Sequence, residues 1–174
     1  DSAPLAKQPL SRGRTWWGYR DGVWSPNDEV VRGSLAHSFA DQYETRYVGP
    51  VEDVLATIAD EIRIEPHGDL INFTNGMLEW STGELLDHDP AHKSTVQIPH
   101  RWNADATCPR FDAWLAQRLP AAGVQLAWEL IAVSLYSGNP IQRAGLLYGV
   151  GKSGKSTYLQ VIEELVGREN YTSL

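Results

Sequence analysis

Two helices are predicted in the first half of the chain from apolar residues that recur at helical spacing. The first extends from residue 28 to about residue 47, with Asn27 or Asp28 as its cap, because four apolar residues lie at every fourth position. These residues are Val31, Leu35, Phe39 and Tyr43. The second helix begins at about Pro50, a residue that suits a first turn. Its inward face should consist of Val54, Leu55, Ile58, Ala59 and Ile62.

Short strands are predicted on both sides of these helices. Two aromatic-rich runs within residues 15–24 flank Asp21 and Gly22, and an Asp-Gly pair in that setting is the strongest short-range hairpin signal. Between residues 69 and 86, Asn-Gly and Ser-Thr-Gly turns separate short apolar runs, which predicts two or three small antiparallel strands. Another strand is expected over residues 93–102.

The second half of the chain predicts three helices and one buried strand. Pro109 opens a helix that Pro120 ends, and residues 124–136 are apolar almost all round, which is typical of a central, buried helix. Residues 143–148 form a short apolar run typical of a buried strand. A last helix is predicted over residues 155–166. Its inward residues should be Tyr158, Ile162 and Leu165, and its terminator Gly167.

These elements predict an α+β fold in three segments. Residues 1–14 contain prolines and lack apolar periodicity, so they should form a flexible arm or linker. Residues 15–140 should form a mainly helical domain with small antiparallel hairpins. Residues 141–174 should be the first strand, loop and helix of a truncated α/β domain. The start without methionine and the end just after a helix suggest a fragment of a longer protein.

The composition is that of an ordinary globular protein, since 42% of the 174 residues are hydrophobic and 21% are charged. The net charge of −7 argues against a uniformly basic nucleic-acid surface, and residues 51–92 hold ten acidic and one basic side chain. There is no apolar window of roughly 18 to 20 residues, no signal peptide, and only one cysteine, Cys108. A cytoplasmic protein without membrane association is therefore expected.

A glycine-rich loop carries the clearest candidate chemistry. Residues 149–157 read GVGKSGKST and match the Walker A form, and they lie between the predicted strand and the last predicted helix. In such a loop, glycines allow backbone N–H groups to approach phosphates, and the following helix adds the positive end of its dipole. The candidate nucleotide-binding residues are Gly149, Val150, Gly151, Lys152, Ser153, Gly154, Lys155, Ser156 and Thr157.

Within that loop, two side chains have distinct predicted roles toward ATP and magnesium. Lys155 should supply a positive charge to the β- and γ-phosphates, and the Ser156 hydroxyl should bind Mg²⁺. Hydrolysis also requires an acidic metal ligand, a water-positioning residue and usually an arginine from a neighbouring subunit. No residue of this sequence is assigned to those roles, so the catalytic residues stay unknown and the 174 residues alone should not hydrolyse ATP.

Two other groups of residues are candidates for function. The aromatic cluster Trp16, Trp17, Tyr19 and Trp24 is suited to stacking single-stranded bases, although packing against a neighbouring helix is the favoured interpretation. The spacing of His88, His92 and Cys108 fits no compact metal site, so these are interpreted as solvated loop residues.

The order of several motifs resembles a known protein family. Residues 75–85 read NGMLEWSTGEL, residues 108–115 read CPRFDAWL, residues 135–138 read LYSG, and residues 144–157 end in the glycine-rich loop. In this order, over about residues 15–174, they resemble the primase-helicases of poxviruses, phages and plasmids. In that family, a characteristic domain precedes a superfamily 3 helicase motor.

The resemblance implies a ring-forming, ATP-driven DNA replication helicase of the AAA+ type in the cytoplasm of a bacterial host, often fused to a primase or polymerase domain. Lys155 and Ser156 match the family's phosphate-binding lysine and magnesium-binding hydroxyl. Ser153 stands where many relatives have Asn, which leaves that contact of the loop open. The family's DNA-contacting hairpins and arginine finger have no counterpart in these residues, so no DNA-binding residue is assigned.

Two alternatives differ from the helicase hypothesis in class. Residues 15–145 would act as a non-catalytic docking or assembly module for DNA or a partner protein if the loop contributes nothing. A small-molecule kinase would be expected to begin near its P-loop, and the roughly 140 residues that precede this loop disfavour it. Two consecutive acidic residues after an apolar strand, further along the reading frame, would favour a working motor.

Overall fold

A computed structural model of the chain describes residues 5–7, 15–27, 29–62, 68–137 and 141–172. Contacts within the fold divide the chain into two compact units. Unit 1 consists of Asp1–Glu65 and His88–Thr95, and unit 2 consists of Pro66–Asp87 and Val96–Leu174. This division follows contacts between distant segments, whereas the boundary near residue 140 was predicted from the order of motifs and stays a prediction.

Unit 1 is built on a four-stranded sheet with the strand order β3-β2-β1-β4. The strands are β1 (Leu5–Lys7), β2 (Trp16–Arg20), β3 (Val23–Pro26) and β4 (Asp60–Glu61). Pairing is antiparallel except between β1 and β4, which are parallel. The prediction of an arm over residues 1–14 is therefore wrong for Leu5–Lys7, because β1 lies between two other strands and Ala6 is buried.

The predicted hairpin at Asp21 and Gly22 is confirmed. Arg20 pairs with Val23, so the turn has two residues, and their φ angles are 51° and 86°. Two positive φ angles are typical of the type I′ turn, whose twist matches that of the flanking strands. A side chain on Gly22 would meet the ring of His88, which lies 2.5 Å from the position of a Cβ.

Tryptophans of the hairpin form cores on both faces of this sheet. Successive side chains of a strand point to opposite faces, so the side chains of Trp16 and Trp17 lie on opposite faces of the sheet. Trp17 packs with Ala6, Trp24 and Ile62. On the other face, the core consists of Trp16, Val31, Leu35 and Val48.

Two helices cover the Trp16 face, α1 (Val30–Phe39) and α2 (Val48–Ile58). The first ends earlier than predicted, because short 3-10 turns follow at Ala40–Gln42 and Thr45–Tyr47. Its N-cap is Glu29 without a side-chain hydrogen bond; Asn27 is not the cap, and Asp28 lies outside the described residues.

The predicted inward face of the second helix is partly wrong. Val54 and Ile58 are exposed, Ile58 to 70%, whereas Leu55 packs into the core of unit 1. Ile62 is fully buried but lies beyond the helix, in the segment that follows β4. Apolar residues recur at helical spacing past residue 59, but α2 ends at Ile58 and the chain joins the sheet at Asp60. The residues that are buried therefore differ from those of a continuous helix.

A segment from later in the chain completes unit 1. The backbone N–H of Trp24 donates to the carbonyl of Ser94 (2.7 Å), and the Trp24 indole donates to the carbonyl of Pro90 (3.0 Å). Lys93 donates to the carbonyl of Glu61 (3.1 Å). These bonds join residues 88–95 to the hairpin and to β4, which explains why this segment belongs to unit 1.

Unit 2 begins with the predicted small antiparallel strands, which are confirmed as β5 (Leu70–Phe73), β6 (Gly76–Glu79) and β7 (Leu85–Leu86). Residues 93–102 do not form the expected strand, because their strand pairing is limited to a bridge between Phe73 and Ile98. Asn75 joins this segment to the hairpin, since its Nδ2 donates to the carbonyl of Trp102 (3.0 Å) and its Oδ1 accepts from the N–H of Trp102 (2.7 Å).

Three helices form the remainder of unit 2: α3 (Pro109–Ala116), α4 (Ala121–Ser134) and α5 (Lys155–Val166). The start of α3 at Pro109 and the limits of α5, with Gly167 after it, are as predicted. The predicted end of α3 at Pro120 is wrong, because α3 ends at Ala116 and Pro120 is the N-cap of α4, which begins before residue 124. Their shared core consists of Leu115, Ala127, Ile131 and Tyr158, with Ile162 and Leu165 packed against it. α4 is less buried than predicted, because Leu126 and Trp128 are exposed.

The strand predicted over residues 143–148 is absent. This segment has no regular secondary structure in the described chain, and the side chains of Leu146 and Tyr148 are 90% and 96% exposed. A strand requires a neighbour that accepts and donates its backbone hydrogen bonds, and none of the described residues pairs with this segment. Leu147, which points the other way, packs against the helical core.

The predicted α+β class is confirmed by the five helices and two small sheets of the described residues. Within the same residues, no helix is both long and apolar enough to span a bilayer.

The hairpin turn of unit 1 allows a matched pair of glycine substitutions. Gly22→Ala should lower the free energy of unfolding by about 1–3 kcal/mol, because alanine is strained at a φ of 86° and its Cβ would overlap His88. Gly33→Ala, in the interior of α1, should instead raise the free energy of unfolding by up to about 1 kcal/mol, because the added Cβ would meet nothing within 4 Å outside the adjoining helix backbone. Urea unfolding followed by circular dichroism measures both, and equal stability of the two variants would contradict the turn assignment.

The two hydrogen bonds of Asn75 define a second stability test. Asn75→Ala should lower the free energy of unfolding by about 1–3 kcal/mol, because it leaves the N–H and carbonyl of Trp102 without these partners. Asn103→Ala is the control, since Asn103 accepts one exposed bond from Asp105 and should change stability by less than about 0.5 kcal/mol. If the two variants unfold at the same urea concentration, Asn75 does not join the segments as described.

Candidate functional site

The glycine-rich loop connects residues 143–148, which have no regular secondary structure, to the start of α5. Two of its residues have left-handed backbone conformations, Lys152 with φ of 62° and Gly154 with φ of 97°. Gly154 is the N-cap of α5, so the chain turns sharply there and enters the helix at Lys155. Because the chain reverses direction here, the side chain of Lys155 reaches the first residues of the loop, Gly149 and Val150.

The Lys155 ammonium group holds the loop closed. Its Nζ donates to the carbonyl oxygens of Gly149 (3.0 Å) and Val150 (2.9 Å) and to the Oγ of Ser153 (3.2 Å). An ammonium group has three hydrogens, so the loop provides an acceptor for each of them. The positive charge therefore lies inside the ring of residues 149–155, close to the N-terminus of α5.

The first turn of α5 offers further polar groups beside this charge. The first N–H groups of any helix have no acceptor within the helix, and they lie at the positive end of its dipole. Ser156 and Thr157 are exposed on this turn, and the Ser156 hydroxyl bonds to no residue that the structure describes. This end of α5 therefore favours an anion, with a free hydroxyl beside it.

Helix α3 packs directly against the loop at Gly154. A Cβ on Gly154 would lie 2.8 Å from the Cζ2 of Trp114 and 3.1 Å from the Nε of Arg118. The contact is possible because position 154 has no side chain. Glycine is thus required at this position for two reasons, its positive φ and the close approach of α3.

Arg118 is held in a stack of rings beside the loop. Its guanidinium carbon lies 4.4 Å from the centroid of the Trp114 ring, and its Nη1 donates to the Trp114 carbonyl (3.0 Å). Trp114 also stacks with Phe111, since the two rings are nearly parallel and their centroids are 5.5 Å apart. No carboxylate in the described part of the chain pairs with Arg118, so its charge is added to that of Lys155.

Helix α5 is anchored along its length by bonds to other parts of unit 2. The hydroxyl of Tyr158 donates to the carbonyl of Ala127 (2.6 Å), and burial raises the pKa of this phenol. At the other end of the helix, Asn170 donates to the carbonyl of Gln97 (2.8 Å), and a ring nitrogen of His100 bonds to the carbonyl of Glu164 (2.9 Å). The position of the loop is therefore set by the helix that follows it.

A cavity of about 420 Å³ opens beside the loop. One side is formed by loop residues, including Gly149, Ser153 and Lys155, and the other by side chains of α3 and α4. Its volume lies within the range of about 300–1,000 Å³ that is usual for small-molecule sites.

The predicted loop residues are only partly brought together. Lys155 contacts Gly149, Val150 and Ser153, whereas Gly151 and Lys152 lie exposed at the tip of the loop. Their roles toward ATP and magnesium, including that of Ser156, stay predictions.

Sequence reasoning missed Trp114 and Arg118 as residues of this site. Both lie in the CPRFDAWL segment or just after it, four positions apart on one face of α3. Nothing in the local sequence links them to a loop more than 30 residues later. Their four-residue spacing, with a cation beside an aromatic ring, was the available signal.

The other candidate groups have structural positions. Trp16, Trp17 and Trp24 are buried, so they do not present faces for bases. Packing against neighbouring helices is confirmed for Trp16, whereas Trp17 and Trp24 pack with Ala6 and Ile62, which lie outside the helices. His88 covers the hairpin turn at Gly22, and Cys108 is the exposed N-cap of α3. Among the described residues, no group of three or more His, Cys, Asp or Glu side chains is arranged to hold a metal ion.

Comparison with known proteins supports one family. A family model described as D5 N terminal like matches residues 11–120, which end just after α3 and include Trp114 and Arg118. No curated protein is significantly similar to the chain. D5 N-terminal-like domains are associated with helicase-primase proteins. Because the match covers more than half of its residues, the chain belongs to the D5 N-terminal-like family and carries the N-terminal region typical of primase-helicase-type replication proteins.

Proposed function

We propose that the chain is part of an ATP-driven DNA replication helicase and that residues 149–157 bind the phosphates of ATP. One observation carries the proposal: the Lys155 ammonium group is enclosed by its own loop at the N-terminus of α5. This arrangement follows a domain of the D5 N-terminal-like family along the chain. A phosphate-binding loop in that position is what a nucleotide-driven motor requires.

The residues of the loop fit a triphosphate. Lys155 would exchange its contacts with the loop for phosphate oxygens, because an ammonium ion forms stronger bonds with an anion than with a neutral carbonyl or hydroxyl. The N–H groups of the first turn of α5 would bind the same oxygens. Ser156, exposed on that turn, would hold a magnesium ion, which neutralises phosphate charge when bound.

The work of such a motor would be the unwinding of DNA. Energy from nucleotide hydrolysis would come from a complete motor in which an acidic metal ligand, a water-positioning residue and an arginine act on the γ-phosphate. The D5 N-terminal-like domain would position this motor during replication, and a homo-oligomeric ring in the cytoplasm of a bacterial host would enclose the DNA strand. Residues 149–157 would contribute the binding of the nucleotide to this motor.

Replacement of the loop lysine tests nucleotide binding. The chain should bind magnesium-ATP saturably, and Lys155→Ala should weaken that binding about ten- to a hundredfold, because a charged hydrogen bond to phosphate is lost. Fluorescence titration with a labelled ATP measures both affinities. Arg168→Ala is the control of equal charge, since Arg168 is exposed beyond the end of α5. Equal affinities of the two variants, or no saturable binding by the unaltered chain, would contradict the proposal.

The helicase activity is tested in the protein expressed from its complete reading frame. Lys155→Ala should abolish ATP-dependent unwinding of forked DNA, whereas Arg168→Ala should unwind at the rate of the unaltered protein. Strand separation measured with a fluorescent fork reports the rate. Unwinding by Lys155→Ala at the unaltered rate would exclude this loop as the energy source. A protein that binds DNA but never unwinds it would favour the docking module.

A further inference from the structure

The exposed apolar side chains of unit 1 are concentrated on one surface. Among the described residues of this unit, four large apolar side chains are exposed, and they are Phe39, Tyr47, Val54 and Ile58. They lie at the end of α1, on α2 and on the residue just before α2. We infer that this apolar stripe is a docking site for a basic amphipathic helix of a partner protein, a role separate from nucleotide binding by residues 149–157.

The stripe is continuous along one side of α2. The backbone of Tyr47 is already helical, so this residue, Val54 and Ile58 are separated by seven and four positions of one helix. At these separations helical residues share a face. Phe39 extends the stripe beyond α2, since its ring stacks on that of Tyr47 with the centroids 6.3 Å apart. The four side chains therefore form one patch, and such patches mark interaction sites.

The core of unit 1 does not explain the apolar character of the stripe. The core contacts of α2 come from other residues, chiefly Val48 and Leu55. Val54 is 61% exposed, and Ile58 is more exposed still. Polar side chains at these two positions would leave the core contacts intact and keep apolar surface out of water. A partner that covers the stripe accounts for the residues found there.

The shape of the surface favours a helix as the partner. Side chains of α2 at spacings of three and four form ridges, and such ridges pack into the grooves of another helix. An added β-strand would need free backbone donors and acceptors, whereas those in the interior of α2 bond to each other. A segment with apolar residues at the same spacing matches the stripe.

The charge around the stripe favours a basic partner. Residues 39–61 hold six acidic side chains and one basic side chain, Arg46, which pairs with Glu44 (2.9 Å). Two lysines from elsewhere in unit 1, Lys7 and Lys93, bond to carbonyl oxygens at the end of α2 and just after it. Acidic side chains still outnumber basic ones six to three. This excess attracts lysine and arginine side chains placed beside the apolar face of a partner helix.

The same charge disfavours two other occupants. A second copy of the chain would bring the same acidic excess to the interface, and like charges that face each other weaken association. A nucleic acid binds through cationic side chains that contact its phosphates, and these are the minority here. The stripe therefore differs from the surface expected of a DNA-docking module.

Binding of designed peptides to the chain, measured by fluorescence polarisation, tests the inference. The probe is a labelled peptide of about 18 residues, made of leucine and lysine with all leucines on one face of a helix. It should bind saturably, and about 500 mM NaCl should weaken binding several-fold relative to about 50 mM. Two control peptides should bind at least about tenfold more weakly. One has glutamate in place of lysine, and the other has the same composition with leucines spread around the helix.

Substitutions in the stripe locate the binding site. Val54→Gln and Ile58→Gln should each weaken binding of the leucine-lysine peptide about five- to tenfold, because each removes an apolar contact. Both positions are exposed and glutamine favours helices, so circular dichroism should be unchanged. Leu159→Gln is the matched control, since it replaces an exposed leucine on α5, in unit 2, and should bind the peptide like the unaltered chain.

Four results would overturn the inference. The first is that the leucine-lysine peptide binds no better than its control peptides, and the second is that both stripe variants bind it like Leu159→Gln. The third is self-association of the unaltered chain that Ile58→Gln abolishes in sedimentation, which would assign the stripe to an interface between copies. The fourth is saturable binding of single-stranded DNA that Ile58→Gln weakens, which would assign it to nucleic acid.

Discussion

The absence of a side chain at Gly154 is the constraint on which the candidate site depends. It allows the positive φ with which the chain enters α5, and it admits the Trp114 ring and Arg118 into contact with the loop. Because α5 then begins at Lys155, the ammonium group of this residue donates hydrogen bonds to the carbonyls of Gly149 and Val150. The shape of the loop and the placement of the charge thus both depend on Gly154, while the bonds of Tyr158 and Asn170 hold α5 itself in place.

That contact also relates the family domain to the loop. The matched residues 11–120 end after α3, and α3 is the helix that packs on Gly154. The domain therefore provides part of the surroundings of the loop in unit 2. α3 and α4 together form the side of the cavity that lies opposite the loop.

Several residues of the family-like motifs have structural reasons for their identity. Asn75 bonds to both backbone groups of Trp102, and a Cβ on Gly76 would lie 2.5 Å from the carbonyl oxygen of Leu86. Met77 and Leu78 are buried. This motif therefore maintains the small sheet of unit 2. The identities of these residues are therefore explained by the packing of the sheet.

Local signals in the sequence by itself determined the Asp21-Gly22 hairpin, the start of α3 at Pro109, the limits of α5 and the glycine-rich loop, because each depends on backbone preferences of adjacent residues. Only the tertiary structure decided that Ile58 and Leu126 are exposed, that residues 143–148 pair with no described strand, and that Arg118 lies beside Gly154. These features depend on contacts between segments far apart in the chain, which no local pattern encodes.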